Sequence, residues 1–352
     1  MTTTSRPLPV RQPAGFRARV GARVGSVAYA ARLYGEYRRA NRRWSPELDM
    51  AASPFPRWIQ FQTINACQAS CRMCPYPLYK DVFARGRMDD ALFEKIVAEV
   101  AARDDVDTLI PMLQNEPFLD KRLFDKVARI KTATAGRVRV ELVTNGAFLT
   151  DENIGRIRES GVDVLDVSLD AVSRDVYRRV RVGLDFDAVI AGVERLIAAG
   201  LPATKVFVRL VRVRDNAREV TAFARQWRAR GVPVFIYTAH DRAGSVRGFD
   251  DALRIPEEEL TWLQRMERRA SRLYMGHCPV PFAMTSILHD GQMLMCVHDW
   301  GRKVVVGNVR DATIAELWNG PRMREIRRAL SERRYDSVAA CRDCSLWKDG
   351  WF

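Results

Sequence analysis

The sequence lacks features that would place the chain in several other classes of protein. None of its apolar runs reaches the roughly 18 residues that a membrane-spanning helix needs. The basic N-terminus has no apolar core followed by a small-residue cleavage site, so it does not match a secretory signal. Long internal repeats and low-complexity tracts are also absent. We therefore expect a globular, cytoplasmic protein with no transmembrane segment.

Acidic residues are scarce at the start of the chain. Residues 1–45 hold ten arginines but a single acid, Glu36. Apolar side chains recur there at helical spacing: Val20, Val24, Val27, Ala31 and Tyr34. Residues 1–55 are therefore interpreted as a basic, partly helical leader. The net charge of +14 either reflects a solvated, arginine-rich surface or indicates an acidic partner such as nucleic acid, membrane lipid or an electron carrier.

Strand and helix signals alternate after this leader. Six short apolar segments are predicted strands: 58–63, 106–113, 138–143, 162–169, 206–213 and 234–238. Helical periodicity covers four segments between them: 89–102, 118–130, 187–199 and 219–230. Such an α/β alternation implies a parallel sheet, closed into a full or partial barrel or left open. Ligands then bind at the carboxyl ends of the strands.

The boundaries of this repeating region define the predicted domains. Residues 56–250 form the α/β domain, and residues 251–276 form a linker helix with Pro256 near its start. Residues 277–352 form a small module that contains cysteines. The Asp290-Gly291 pair predicts a hairpin within that module.

The seven cysteines are odd in number and clustered, which argues against a disulfide scaffold and favours metal binding. Cys67, Cys71 and Cys74 form a CxxxCxxC loop directly after the first predicted strand. Three thiolates on a [4Fe–4S] cube would leave one iron open to a small molecule. The alternatives are three incidental thiols or a zinc site that lacks its fourth ligand. Zinc would normally need a further Cys or His nearby, and the next histidine along the chain is the distant His240.

A second set of cysteines supplies a complete set of four ligands. Its members are Cys278, Cys296, Cys341 and Cys344. Four thiolates can close a second iron–sulfur cluster, or they can hold a structural zinc ion. The thiols alone leave both possibilities open.

The CxxxCxxC loop at the end of the first strand of a βα barrel resembles the radical S-adenosylmethionine (SAM) superfamily. The resemblance implies a partial (β/α)6 TIM-like barrel and an open cluster that cleaves SAM to a 5′-deoxyadenosyl radical. Met73 precedes the last cysteine, where this family often has an aromatic residue, and is expected to pack against adenine.

Further residues resemble the SAM-binding segments of the superfamily. In Gln114-Asn115-Glu116-Pro117 the family's glycines are replaced, but Glu116 is retained as the partner of the methionine ammonium. Asn145 lies in a recurrent Thr-Asn-Gly turn after the third strand. Ser168 and Asp170 resemble the segment that contacts the ribose, and they are predicted to share one strand face.

The C-terminal module resembles the SPASM/Twitch auxiliary-cluster domains. Gly291 stands five residues before Cys296, and a Gly-Asn-Val segment at 307–309 and a predicted helix precede the final CxxC. Gly350 occupies the approximate position of the next SPASM cysteine, so the resemblance implies one auxiliary [4Fe–4S] cluster in place of two. This cysteine arrangement is similar to that of aminocyclitol alcohol dehydrogenases of antibiotic biosynthesis.

Three functions compete at this stage. The first is an oxidoreductase, such as a dehydrogenase of an amino sugar, aminocyclitol or nucleoside intermediate. The second is a maturase that cross-links or epimerises a ribosomally made peptide. The third, an RNA-modifying or nucleic-acid-binding protein, rests on charge alone, and no stable nucleic-acid complex is expected.

Oxidation of a small-molecule alcohol would require a base near the strand ends. The candidates are His240 and Asp241 after the sixth strand, with Arg209 on the fifth strand as a ligand for a substrate anion. An acidic flavodoxin or ferredoxin is the expected electron donor, since a basic surface would steer it.

Overall fold

The computed structural model describes residues 54–246, 248–260, 262, 265–266, 278 and 280–349. These residues belong to one unit of the chain, Ala52–Phe352. The predicted leader, apart from residues 54–55, lies outside them, and so does half of the predicted linker helix. Within that linker, Glu257–Glu259 forms a single 3-10 turn.

The elements alternate as predicted. The strands are β1 Trp58–Phe61, β2 Thr108–Ile110, β3 Arg139–Thr144, β4 Val164–Ser168, β5 Lys205–Arg212, β6 Val234–Thr238, β7 Met284–Ile287, β8 Gln292–Leu294 and β9 Val305–Asn308. The helices of the α/β domain are α1 Tyr76–Tyr79, α2 Asp90–Ala101, α3 Leu123–Ala133, α4 Asp151–Ser160, α5 Arg174–Val180, α6 Phe186–Ala199, α7 Val220–Ala229 and α8 Phe249–Ala252. Those of the C-terminal module are α9 Val280–Ala283, α10 Ile314–Trp318, α11 Pro321–Ser331, α12 Ala339–Arg342 and α13 Ser345–Asp349. Other 3-10 turns are Pro117–Leu119, Arg214–Asn216 and Tyr335–Ser337.

One sheet carries all nine strands in the order β6-β5-β4-β3-β2-β1-β7-β8-β9. Strands β1 to β6 pair in parallel with their sequence neighbours, which confirms the predicted partial-barrel core. One face of the sheet packs against helices: Phe61 and Phe93 of α2, for example, have ring centroids 6.2 Å apart. The opposite face holds polar and half-buried side chains, including Arg209.

The C-terminal module continues this sheet. Strand β7 pairs in parallel with β1, placing Ser286 opposite Gln60. Strand β8 then pairs antiparallel with β7, which confirms the predicted hairpin. Gly291 adopts a φ of 93° in that turn, and a Cβ there would lie only 2.3 Å from Oδ1 of Asn308. The hairpin therefore requires glycine at this position.

One helix prediction needs correction, and two longer helices of the α/β domain were missed. The segment predicted as a helix over 118–130 is divided, because the Asp120 carboxylate accepts a hydrogen bond from the N–H of Arg122 at 3.1 Å. The same carboxylate forms a buried ion pair with Lys126 at 2.7 Å. Helices α4 and α5 were not predicted. Among the described residues, no helix combines the length and apolar character needed to cross a bilayer.

Candidate active site

Predicted site residues meet at the carboxyl edge of the parallel strands. They follow successive strands: Cys67, Cys71, Met73 and Cys74 after β1, Glu116 after β2, Asn145 after β3, Asp170 after β4, and His240 and Asp241 after β6. Ser168 ends β4 itself. The side-chain amide of Gln68 donates to Oδ1 of Asn145 at 3.3 Å, which joins the cysteine loop to the end of β3. This edge is where ligands bind in parallel α/β folds.

The cysteine loop is fixed by the segment that follows α5. The N–H of Ser70 donates to the carbonyl of Val182 at 2.8 Å, and the N–H of Arg72 donates to Val180 at 3.0 Å. Gly183 lies against this loop, and its φ of 87° belongs to the left-handed region that favours glycine. The loop therefore has a defined backbone path in the described structure.

The three thiols lie close enough to influence one another electrostatically. Burial, together with the charges of Glu116, Cys74 and Cys71, raises the pKa of Cys67 to about 12. Burial also raises the pKa of Cys74 to about 11, and Cys71 adds to this shift. Nη1 of Arg181 lies 3.5 Å from Sγ of Cys71. Three thiolates here require a compensating positive charge, which a bound metal cluster supplies.

The cysteine sets fit multi-iron clusters. Within the described part of the chain, no three His, Cys, Asp or Glu side chains are arranged to hold a single metal ion. A zinc site places its thiolates around one ion at roughly 2.3 Å. In a four-iron cube each thiolate binds a different iron, so the sulfurs stand farther apart. All seven cysteines are free of disulfides.

Glu116 is buried beside the cysteine loop. Its carboxylate accepts hydrogen bonds from the N–H of Asn145 and the hydroxyl of Thr144, both at 2.8 Å, and from the N–H of Phe118 at 3.2 Å. Burial raises the pKa of Glu116 to about 7, although these three donors oppose the shift. An ammonium group at this position would favour the ionised form and gain a charge-assisted hydrogen bond.

Gln114 and Asn115 stand where the resemblance to the family places glycines. Gln114 adopts a φ of 58°, a conformation that glycine reaches more easily. Its Nε2 and the Nδ2 of Asn115 are buried with no hydrogen-bond partner among the described residues. Both are therefore available to a bound acceptor. These side chains could not be recognised as candidate ligands from the sequence, because their lack of hydrogen-bond partners is visible only in the fold.

Asp170 does not share a strand face with Ser168. It lies beyond the end of β4 with a φ of 64°, so the period-two alternation predicted for the pair ends at Ser168. The Asp170 carboxylate is fully buried, pairs with Arg181 and accepts a hydrogen bond from the N–H of Val211 at 2.5 Å. These contacts connect the cysteine loop to β5. The Ser168 side chain forms no hydrogen bond with another described residue and is slightly more exposed than Asp170, so it is the more accessible candidate for a ribose hydroxyl.

The second set of cysteines is assembled by the C-terminal module. Burial raises the pKa of all four thiols. The charges of neighbouring thiolates add to the shift at Cys278, Cys296 and Cys341, and the charge of Asp241 adds to it at Cys344. The N–H of Cys278 donates to the hydroxyl of Tyr335 at 3.1 Å. Tyr335 stacks on Trp347 with ring centroids 4.3 Å apart, and the indole of Trp347 donates to the carbonyl of Cys341 at 2.7 Å. The described contacts therefore bring distant segments together around these thiols.

The three residues predicted as catalytic have different surroundings. The His240 ring lies 4.4 Å from the His298 ring, and burial, with nearby Arg242, holds its pKa well below the usual value. Asp241 exchanges two hydrogen bonds with Ser345 of the C-terminal module. Arg209 pairs with Asp166 on β4 and lies 4.7 Å from the centre of the Tyr237 ring. The polar groups of Asp241 and Arg209 are therefore already engaged within the protein.

Comparison with known proteins gives matches over both parts of the chain. Residues 61–239 match the Radical SAM superfamily, and residues 278–345 match the SPASM iron–sulfur cluster-binding domain. The chain is 23% identical over 290 residues to the S-adenosyl-L-methionine-dependent 2-deoxy-scyllo-inosamine dehydrogenase of Niallia circulans, covering 82% of this chain and 92% of that protein.

Solved structures show the same fold. The crystal structure of BtrN in complex with AdoMet and 2-DOIA aligns with a TM-score of 0.56 at 19% identity, covering 82% of this chain and 92% of that one. Streptococcus suis SuiB bound to precursor peptide SuiA aligns with a TM-score of 0.61 at 12% identity, covering 97% and 79%.

Proposed function

The chain belongs to the radical SAM superfamily, and from this premise we propose that it is a SAM-dependent dehydrogenase of a small polyhydroxylated substrate. The substrate class suggested is an amino sugar or aminocyclitol, as in the name of the Niallia circulans relative. The family domains imply an open [4Fe–4S] cluster, an auxiliary [4Fe–4S] cluster and SAM as cofactors.

One observation carries this proposal: a second, four-thiol set lies beside the edge that holds the first set. The loop after β6 contacts this module directly, through the hydrogen bonds between Asp241 and Ser345 at 2.9 and 3.0 Å. Four thiolates satisfy all corners of a cube, so this site is closed to SAM and suited to electron transfer. An auxiliary site of this kind fits a net two-electron oxidation of the substrate.

The first cysteine set would hold the open cluster through Cys67, Cys71 and Cys74. When bound there with SAM, such a cluster would supply the radical chemistry of the superfamily, in which a 5′-deoxyadenosyl radical removes a hydrogen atom from the substrate. Glu116 binds the ammonium of SAM, and the unpartnered amides of Gln114 and Asn115 can donate to its carboxylate.

The remaining contacts to SAM would come from β3, β4 and the cysteine loop. Asn145, already joined to that loop through Gln68, helps to close the site. Ser168 can hydrogen-bond a ribose hydroxyl at the end of β4, and buried Met73 can pack against the adenine. Asp170 contributes indirectly, because it holds Arg181 beside Cys71.

His240 would accept the proton of the substrate hydroxyl. Its lowered pKa leaves the imidazole neutral at physiological pH, so a ring nitrogen is available as an acceptor. The backbone N–H of Arg242 donates to Nδ1 of His240 at 3.2 Å, which places the hydrogen of the neutral ring on Nε2. His240 would therefore accept a substrate proton at Nδ1 once this hydrogen bond is released, or at Nε2 after a change of tautomer. Arg209 would orient the substrate only by exchanging its present partner, Asp166.

Isotope transfer from a deuterated substrate tests the proposed function. The reconstituted enzyme is incubated with SAM, dithionite and 2-deoxy-scyllo-inosamine deuterated at the carbon that bears the reacting hydroxyl. We expect deuterium in 5′-deoxyadenosine and formation of a ketone. The same substrate deuterated at a methylene carbon is the control and should transfer no label. Formation of 5′-deoxyadenosine without label or ketone would contradict the dehydrogenase assignment for this substrate class.

An acidic flavodoxin or ferredoxin would deliver the electron that the open cluster needs. The net charge of +14 is the observation that supports this partner, since opposite charges accelerate encounter at low ionic strength. Raising the salt concentration should slow reduction by flavodoxin but leave reduction by dithionite much less affected. Equal salt dependence with both reductants would contradict electrostatic steering.

Peptide maturation is the second candidate function. Strands β5 and β6 carry a cluster of aromatic side chains that is partly exposed. Phe235 is 40% exposed and Tyr237 is 36% exposed. The rings of Phe207 and Phe235 lie 4.8 Å apart. This surface could accommodate a larger substrate than a cyclitol. Retention of a precursor peptide with loss of binding in Phe235→Ser, together with no turnover of cyclitols, would favour this candidate.

A further inference from the structure

The segment after β6, residues 240–246, connects the strand edge with the auxiliary cysteine set, and we call it the bridging loop. Lys303 donates to the carbonyl of Ala243 at 3.0 Å, and the N–H of Ala243 points to Cys344. Asp241 exchanges its hydrogen bonds with Ser345, the residue that follows Cys344. The bridging loop therefore packs directly on the part of the module that carries the final CxxC.

The backbone of the bridging loop adopts an unfavourable conformation at its centre. Arg242 and Ala243 have φ values of 52° and 56°, and Gly244 follows with 73°. This region is unfavourable for residues other than glycine, so the surrounding contacts must hold the turn. The contacts of Asp241 and Ala243 with the C-terminal module hold the turn in this conformation. The result is a turn that fixes the position of the Arg242 side chain.

Arg242 contacts both histidines at this boundary. Its Nη1 lies 3.1 Å from Nδ1 of His298, and its backbone N–H donates to His240. The N–H of His298 in turn lies 3.4 Å from Sγ of Cys296. A short chain of contacts thus connects the Arg242 guanidinium to the auxiliary cysteine set.

The charge of Arg242 also reaches the first cysteine set. Burial lowers the pKa of the Arg242 guanidinium. The charges of ionised Cys74 and Cys296 oppose this shift, because each thiolate attracts the guanidinium. The positive charge likewise lowers the pKa of Cys74 against the larger effect of burial. Arg242 is therefore a buried cation that acts on one cysteine from each set.

We propose that the buried charge of Arg242 raises the reduction potentials of both metal sites. The inference rests on the proposed function, because it requires a cluster at each cysteine set. A nearby positive charge stabilises the more negative, reduced state of a cluster, and weak screening in the interior strengthens the effect. Arg181, beside Cys71, affects the first site in a similar way.

Redox titration of the intact, reconstituted protein, monitored by electron paramagnetic resonance, tests this role. The neutral variants Arg242→Gln and Arg242→Met are compared with Arg242→Lys, which keeps the charge. Arg310→Gln is the matched control, because it removes an arginine that pairs with Asp89 on the surface. We expect both midpoint potentials to shift to more negative values in the neutral variants. Arg242→Lys and Arg310→Gln should stay close to the wild-type protein.

The outcomes separate this inference from the proposed function. A wild-type protein that binds only about four irons would contradict the auxiliary cluster, and with it both proposals. About eight irons with unchanged potentials in both neutral variants would overturn only the role of Arg242. The same shift in Arg242→Lys as in Arg242→Gln would also overturn it, since charge would then not be the cause. Two neutral variants are included so that one poorly loading protein does not decide the result.

Discussion

The backbone N–H of Asn145 donates a hydrogen bond to Oε2 of Glu116 at 2.8 Å, and this contact joins the ends of β3 and β2. The Thr144 hydroxyl donates to the other carboxylate oxygen at 2.8 Å. Glu116 is thereby held at one position beside the cysteine loop. A carboxylate fixed in this way can bind an ammonium group without losing further side-chain freedom.

Replacement of Glu116 by Gln should weaken SAM binding. The change removes the charge that pairs with the ammonium and leaves the Asn145 and Thr144 donors with fewer acceptors. A charge-assisted hydrogen bond contributes about 1.5–3 kcal/mol, so we expect roughly a 10- to 100-fold loss of affinity. Isothermal titration calorimetry on the reconstituted protein measures it. Glu94→Gln, at an exposed pair with Arg129, is the control and should bind SAM normally. Equal affinity in the two variants would exclude Glu116 from the SAM site.

The raised pKa of Glu116 also predicts a pH dependence of SAM binding. With a pKa of about 7, the carboxyl of the free protein is mostly protonated below neutrality, and binding of an ammonium must displace that proton. Affinity should therefore rise as the pH increases from about 5.5 to 7 and then level off, with proton release on binding. Calorimetry in buffers of different ionisation enthalpy measures both effects.

The same shift has an opposite consequence for stability. A carboxyl whose folded pKa is raised stabilises the fold fully at pH values below its unfolded pKa, and that contribution is lost as the pH rises through about 7. Bound SAM should remove this loss, because it stabilises the ionised form.

Glu116→Gln should lack the rise of affinity with pH. If the variant kept the full dependence, another group would be responsible for it.

Much of this site could be predicted from sequence because its residues follow strands with clear local signals. The run at 234–238 has the same bounds as β6, and Cys67, Glu116 and His240 all lie where strand ends were expected. The pairing of β7 with β1 could not be predicted in this way. It joins Gln60 to Ser286, and no local pattern specifies a partner so distant in the chain.

The roles of individual polar side chains could not be predicted from the sequence either. Asp170 and Arg209 have the residue types expected of ligand-binding groups, yet their partners are Arg181 and Asp166 within the protein. No sequence pattern identified Arg242 as part of the site, because its position depends on a left-handed turn at a non-glycine residue and on packing against a distant module. Such pairings are decided by tertiary structure.

The two cysteine sets should load independently. Anaerobic reconstitution should give about eight irons per wild-type chain if both clusters are four-iron cubes. Cys71→Ala and Cys296→Ala should each retain about four, because the sets are ligated by different segments. SAM should perturb the electron paramagnetic resonance signal of Cys296→Ala but not that of Cys71→Ala. A perturbation in both variants, or about eight irons in either, would contradict the division into an open and a closed cluster.

Gly183 should be required for a stable cysteine loop. Its φ of 87° is unfavourable for alanine, whereas the nearest atom to an added Cβ, the carbonyl oxygen of Gln68, would lie at an ordinary 3.5 Å. The cost of Gly183→Ala is therefore a backbone effect of about 1 kcal/mol, together with reduced cluster loading. Gly155 provides the comparison, because it lies inside α4 and an added Cβ would have no neighbour within 4 Å. Gly155→Ala should increase stability by about 0.5–1 kcal/mol. Urea unfolding of the metal-free proteins measures both changes, and destabilisation of similar size in the two variants would show that the conformation of Gly183 has no special role.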